Sequence, residues 1–160
     1  MTIRDAEPTD RTFLESMFVE AVLWDPRMPR QPLEALVVDP HLRRYFEDWG
    51  RSDDVALIAS AGDERLGAAW YRFFSPAKPG HGFVDESIPE LGIAVRPRSR
   101  GQSIGTALLE ALIERAKAAE CLGLSLSVAA TNPARRLYER HGFVAVGKGG
   151  APCAMVARFS

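Results

Sequence analysis

Arg96-Pro97-Arg98-Ser99-Arg100-Gly101-Gln102-Ser103-Ile104-Gly105-Thr106 is the stretch on which the fold turns. Leu91-Gly92-Ile93-Ala94-Val95 before it is a short apolar run of strand type. From Ile104 to Glu120 after it, apolar side chains recur at 104, 108, 112, 116 and 119, the period of a helix. A strand that breaks into such a loop and then opens a helix is suited to anions. The first helical amides lack internal partners, and the helix dipole is positive at that end. Gly101 and Gly105 let a ligand approach the backbone closely, and the arginines supply countercharge. A phosphate-bearing ligand is the expectation.

The chain has 160 residues, 46% of them hydrophobic, which suits one domain over 1–160 with a substantial core. Net charge is −1 and argues against general nucleic-acid binding. The charge is unevenly spread: residues 1–80 carry 10 basic and 14 acidic side chains, residues 81–160 carry 10 and 7. The positive excess therefore lies in the half that holds the loop. Met1-Thr2-Ile3-Arg4-Asp5 is charged and shows no signal-peptide core, and no apolar stretch approaches the roughly 18 residues a membrane helix needs. Cys121 and Cys153 have no metal or redox spacing. The expected setting is cytoplasmic, with no membrane and no nucleic-acid partner.

Around the loop the pattern is mixed α/β. Thr2–Arg4 reads as a strand, and Thr9 or Asp10 caps a helix to about Trp24 that the prolines at 26, 29 and 32 must end. Leu33–Trp49 reads as helix in two pieces around Pro40. Val55–Ser60 and Leu66–Phe74 read as a hairpin across Ala61–Arg65. Ser75–Pro89, with three prolines and two glycines, resembles an active-site flap more than a core element. Leu122–Val128 is a strand, Asn132-Pro133 starts a short helix through Arg140, and Gly142–Gly147 and Ala154–Phe159 close the chain as strands.

Two segments together resemble the GNAT family of N-acetyltransferases. Arg100-Gly101-Gln102-Ser103-Ile104-Gly105 is similar to its acetyl-CoA motif, Arg/Gln-x-x-Gly-x-Gly/Ala. Asn132-Pro133-Ala134-Arg135-Arg136-Leu137-Tyr138-Glu139-Arg140-His141-Gly142-Phe143 is similar to the family's Asn…Leu-Tyr-Glu-x-x-Gly-Phe signature. The match covers roughly residues 90–147. The resemblance implies an α+β fold: a mixed, mostly antiparallel sheet flanked by helices, with strands 4 and 5 splayed for the cofactor. It implies that the backbone of Ile93, Ala94 and Val95 pairs with the pantetheine arm of acetyl-CoA. The amides of Gly101, Gln102, Ser103, Ile104, Gly105 and Thr106 would cradle the pyrophosphate. Arg98 or Arg100 adds charge there or at the ribose phosphate, Asn132 and Arg135 serve the cofactor, and Tyr138 sits near the thioester sulfur. Ser103 replaces the first motif glycine. If that position needs a positive φ, serine costs on the order of 1 kcal/mol. If it is helical, the hydroxyl is available to a phosphate oxygen.

The implied reaction moves an acetyl group from acetyl-CoA to a primary amine of a small molecule or peptide, directly in a ternary complex. Cys121 is not placed as a nucleophile, and no metal is implied. Tyr138 would protonate the leaving thiolate, the bland alternative being a ring packed under the sheet. Glu90 is the candidate base, the alternative being a solvated carboxylate at a strand end. Asp85, Glu86 and His81 on the flap are further candidates. Trp24, Trp70 and Tyr71 are read as lining an apolar acceptor pocket. The resemblance also allows a homodimer. A non-catalytic CoA-binding or regulatory module of the same fold is the alternative function, and an interaction domain that binds no CoA is a third.

Overall fold

Alternating apolar runs and Gly/Pro/Asn punctuation give the elements their limits. The computed structural model describes residues 1–146 and 153–160. Along them run β1 (Thr2–Asp5), α1 (Arg11–Val22), α2 (Leu33–Leu36), α3 (Pro40–Arg43), β2 (Val55–Ala61) and β3 (Glu64–Arg72). They are followed by β4 (Glu90–Val95), α4 (Ile104–Ala118), β5 (Gly123–Val128), α5 (Ala134–Arg140), β6 (Val144–Val146) and β7 (Cys153–Arg158). The strand order is β1-β2-β3-β4-β5-β7-β6, a mixed α/β architecture with a mostly antiparallel open sheet. Gly147, where the expected strand ended, lies outside the described residues. The chain forms two units, one of Met1–Tyr71 with Gly92–Leu112, the other of Arg72–Leu91 with Ile113–Ser160.

In the first unit β1, β2 and β3 pair antiparallel, from Thr2↔Ser60 to Asp5↔Leu57 and from Val55↔Tyr71 to Ala61↔Glu64, with a register shift at Ala59/Ser60. The β2–β3 turn is tighter than expected. Gly62 adopts φ +59°, a left-handed geometry that glycine accepts freely, so two residues close the hairpin and β3 begins at Glu64. The core joins Leu14, Met17 and Phe18 of α1 to Ile58, Ala68, Trp70 and Ala94 of the strands, with Phe46 beside them. Trp70 meets Phe46 edge-on at 5.7 Å between centroids. Gly92 is required opposite it, since a Cβ there would lie 2.6 Å from the indole ring.

A buried carboxylate fixes the start of α1. Asp10 has no exposed surface and accepts from Arg4 at 2.7 and 3.0 Å, Arg65 at 2.7 Å and the Glu7 amide at 2.7 Å. The Arg4 hydrogen bonds, aided by the Glu7 amide and Arg65, hold its carboxyl well below the usual range against the opposing pull of burial. α1 ends at Val22, ahead of the three prolines. The expected helix over 33–49 is confined to the two four-residue pieces α2 and α3, each started by a proline at or before its first turn.

In the second unit β7 lies between β5 and β6, antiparallel to both, from Gly123↔Arg158 to Val128↔Cys153 and from Val144↔Val156 to Val146↔Ala154. β5 also meets β4 in parallel at Glu90↔Ser125. α5 starts where Asn132 Oδ1 accepts the Ala134 amide at 3.0 Å. It stops at Gly142, φ +89°, where glycine carries the chain out of the helix. His141 serves at that end, with Nδ1 at 2.8 Å from the Leu137 carbonyl.

Candidate active site

The β4–loop–α4 segment of the first unit has the form that the sequence indicates. Arg96 closes the end of β4 onto β3, its amide donating to the Leu66 carbonyl at 2.8 Å and its guanidinium to the Arg65 carbonyl at 3.1 Å. A 3-10 turn, Pro97–Ser99, then lifts the chain into the loop. Gly101 has φ +82° and Ser103 φ +62°. Of the two geometries open to Ser103, the structure takes the left-handed one, so serine is strained where a glycine would not be. The Ser103 carbonyl accepts the Ala107 amide at 3.2 Å as the first helical hydrogen bond. The amides of Ile104, Gly105 and Thr106 therefore precede the hydrogen-bonded helix and have no acceptor within it. This makes a short arc of N–H donors at the positive end of a 15-residue helix.

The arginines of the loop separate by partner. Arg100 is committed: its guanidinium pairs with Glu20 of α1 at 3.2 Å and approaches the Val95 carbonyl at 3.4 Å. Glu20 also holds Arg30. Arg98 is exposed on the 3-10 turn and has no ion pair among the described residues. The Arg100–Glu20 contact spans 80 positions in sequence, and no local pattern announces it. Ile93 and Val95 are half-buried and Ala94 buried along β4.

The second unit holds both candidate acid–base groups. Tyr138 is buried on α5, its ring edge-on to Phe143 at 5.8 Å and 65°. Burial pushes its phenol up to about 12, so the group is protonated at neutral pH. Glu90 is also buried, at 5% exposure, which excludes the solvated strand-end carboxylate. Its Oε1 accepts the Gly82 amide at 3.0 Å. Gly82 can approach because it has no side chain. A Cβ there would lie 2.4 Å from the Leu126 carbonyl carbon and 2.7 Å from the Ser127 nitrogen. The 75–89 segment is thus pressed onto β5 and tied to Glu90, a clamp that the composition of the segment does not reveal.

The remaining expected residues fall as follows. Asn132 is half-buried and spends its Oδ1 on the Ala134 amide; its amide NH2 is not used in that contact. Arg135 lies one turn from Glu139, Nε to Oε2 at 3.7 Å. Asp85 and Glu86 are exposed, and Asp85 is held below its ordinary value by hydrogen bonds from the Ser87 hydroxyl and amide. His81 is exposed beside Gly82. Trp70 and Tyr71, expected to line a pocket, are buried instead at 3% and 1% exposure, because β3 is central to its unit and its side chains fill the core. Trp24 is half-buried. A cavity of about 450 Å³ in the first unit is lined by Trp49 with Arg11, Leu14, Arg51 and Ala56. Among the described residues no cluster of three or more His, Cys, Asp or Glu is placed to hold a metal, and no helix is long and apolar enough to cross a membrane.

The fold has counterparts among known proteins. The family model for the acetyltransferase (GNAT) family matches residues 19–143. The L-methionine sulfoximine/L-methionine sulfone acetyltransferase of Pseudomonas aeruginosa is 32% identical over 152 residues, covering 89% of this chain and 79% of the relative. Among solved structures, the ribosomal-protein-alanine N-acetyltransferase of Brucella melitensis has a TM-score of 0.72 at 24% identity, with 99% of this chain and 100% of that one covered. A putative acetyltransferase from Salmonella typhimurium, solved with acetyl-CoA, has a TM-score of 0.68 at 20% identity, with 99% and 93% covered. At those identities the two structures speak to the fold. The chain belongs to the acetyltransferase (GNAT) family. It is accordingly an N-acetyltransferase of a family whose acyl donor is acetyl-CoA.

Proposed function

We propose that this enzyme transfers the acetyl group of acetyl-CoA directly to the primary amine of a small molecule, with both substrates bound together. The observation that carries the reading is the arc of open amides at the start of α4, with Gly101 and the exposed Arg98 beside it. In the first unit, residues 101–106 would hold the pyrophosphate, Arg98 would supply countercharge, and Ile93 and Val95 would offer backbone to the pantetheine amides. Arg100 would act indirectly by fixing the loop to Glu20. In the second unit, Asn132 would donate its amide NH2 to the cofactor arm, and Arg135 would flank it.

The chemistry needs a neutral amine and a partner for the leaving thiolate. Tyr138 is suited to the latter as a donor that stays protonated. It would hydrogen-bond the thiolate as it forms and hand it the phenol proton, which solvent then replaces. Glu90 would accept the proton that the ammonium form of the substrate must lose, directly or through water. The amino-acid analogues named for the Pseudomonas aeruginosa relative favour a small amine of amino-acid type over a peptide.

Tyr138→Phe tests the assignment. The variant should bind acetyl-CoA like the parent, judged by thermal shift, and lose roughly 10²–10⁴-fold in thiol release. Undiminished turnover in that variant would remove Tyr138 from the mechanism.

A further inference from the structure

β5 reads Gly123-Leu124-Ser125-Leu126-Ser127-Val128, and its alternation puts Leu124, Leu126 and Val128 on one face and Ser125 on the other. Ser125 nonetheless has no exposed surface. Its backbone is satisfied: the amide donates to the Pro89 carbonyl at 2.9 Å. Its hydroxyl is the buried side-chain polar atom that finds no partner among the described residues. Burying a hydroxyl without a hydrogen bond is costly, and such groups are seldom left unpaired in native proteins.

Ser125 is the register partner of Glu90 across the parallel β4–β5 pair. Register partners in a sheet present side chains to the same face, so the orphan hydroxyl and the buried carboxylate are neighbours. The hydroxyl makes no direct hydrogen bond to that carboxylate, and one water between two such neighbouring oxygens satisfies both. Gly82 closes over the same place, its amide on Glu90 Oε1 and its α-carbon against the Leu126–Ser127 backbone. Ser125, Glu90 and Gly82 all belong to the second unit.

We propose that Ser125 is a positioning residue, whose hydroxyl holds an ordered water against the Glu90 carboxylate. The water satisfies Ser125 and fixes the orientation of Glu90 for proton acceptance. The catalytic consequence rests on the role given to Glu90 above, whereas the linkage itself does not.

A double-mutant cycle read by melting temperature separates the two. Ser125→Ala should lower the melting temperature by about 2–6 °C in the parent and by less than half as much in Glu90→Gln, because the coupled partner is then weakened. Ser125→Cys, which keeps the shape but replaces the hydroxyl by a larger, weakly hydrogen-bonding thiol, should recover nothing over Ser125→Ala. In turnover, both variants should lose about tenfold in kcat with KM for acetyl-CoA within twofold. An unchanged or higher melting temperature for Ser125→Ala in both backgrounds would overturn the linkage, as would full recovery by Ser125→Cys. Thermal coupling in a protein that releases no thiol with any amine would keep the linkage and defeat the proposed function.

Discussion

Gly82→Ala probes the clamp that buries Glu90. The added methyl would sit 2.4 Å from the Leu126 carbonyl carbon, 2.5 Å from its oxygen and 2.7 Å from the Ser127 nitrogen. Ordinary carbon contacts lie at about 3.5–4.0 Å, so the backbone must retreat by about 1 Å. All three obstructing atoms are β5 backbone, held in the β5–β7 ladder, and cannot swing aside as a side chain would. The 75–89 segment must lift instead. A retreat of that size takes the Gly82 amide from 3.0 Å to about 4 Å from Glu90 Oε1, beyond hydrogen-bonding reach. Overpacking alone costs about 1–3 kcal/mol, and a hydrogen bond to a charged group about 1.5–3 kcal/mol. Lifting relieves the first at the expense of the second, so the two do not add fully, and about 3 kcal/mol is expected. For a chain of this length that is a fall of roughly 6–12 °C in melting temperature. Calorimetry gives the shift, and chymotrypsin cleavage after Phe83 reports whether the segment has left β5. A melting temperature within about 1 °C of the parent, with Phe83 equally protected, would refute the clamp.

Ser103 and Asp10 give two further tests. Ser103→Gly should leave the protein as stable or raise stability by up to about 1 kcal/mol, the left-handed strain relieved less the entropy glycine loses on folding, whereas Ser103→Val should be clearly destabilising; thermal melts of the pair, with Val the more stable, would contradict the φ of +62°. Asp10→Ala should cost about 2–3 kcal/mol by urea unfolding, less than for a fully buried ion pair because the Arg4 and Arg65 side chains are 38% and 37% exposed. Because the folded state lowers the Asp10 carboxyl, its contribution is complete above the unfolded value near 4 and declines as the pH falls below it. The parent should therefore lose its advantage over the variant progressively below about pH 4, and an advantage that grows on acidification would reverse the assigned sign.

What the sequence makes legible is its punctuation. Gly101, Pro133 and Gly142 mark turns by their own backbone preferences, so the loop before α4 and both ends of α5 fall within a residue or two of expectation. The same local logic under-reads Gly62, whose left-handed φ shortens the β2–β3 turn, and over-reads 33–49 as more helix than forms. Partners distant in sequence are harder to see. Arg98 and Arg100 look alike until Glu20 takes the second of them. Asp10 reads as a cap, yet it is the carboxylate between Arg4 and an arginine 55 residues on. Glu90 reads equally as a strand-end surface charge until Gly82 covers it, and Ser125 looks like one of two ordinary strand serines. Trp70 and Tyr71 look like pocket aromatics because residue type alone does not reveal that β3 is central. In these last cases a tertiary contact overrides a sound local preference.

The most direct measurement is the initial rate of thiol release with acetyl-CoA and amino-acid-type amines, both concentrations varied. Release should require an amine, and the double-reciprocal lines should intersect, as a ternary complex demands. Amine-independent release, or parallel lines of the kind an acyl-enzyme produces, would contradict direct transfer. A thermal shift with acetyl-CoA and no acceleration by any amine would make the chain a CoA-binding module instead.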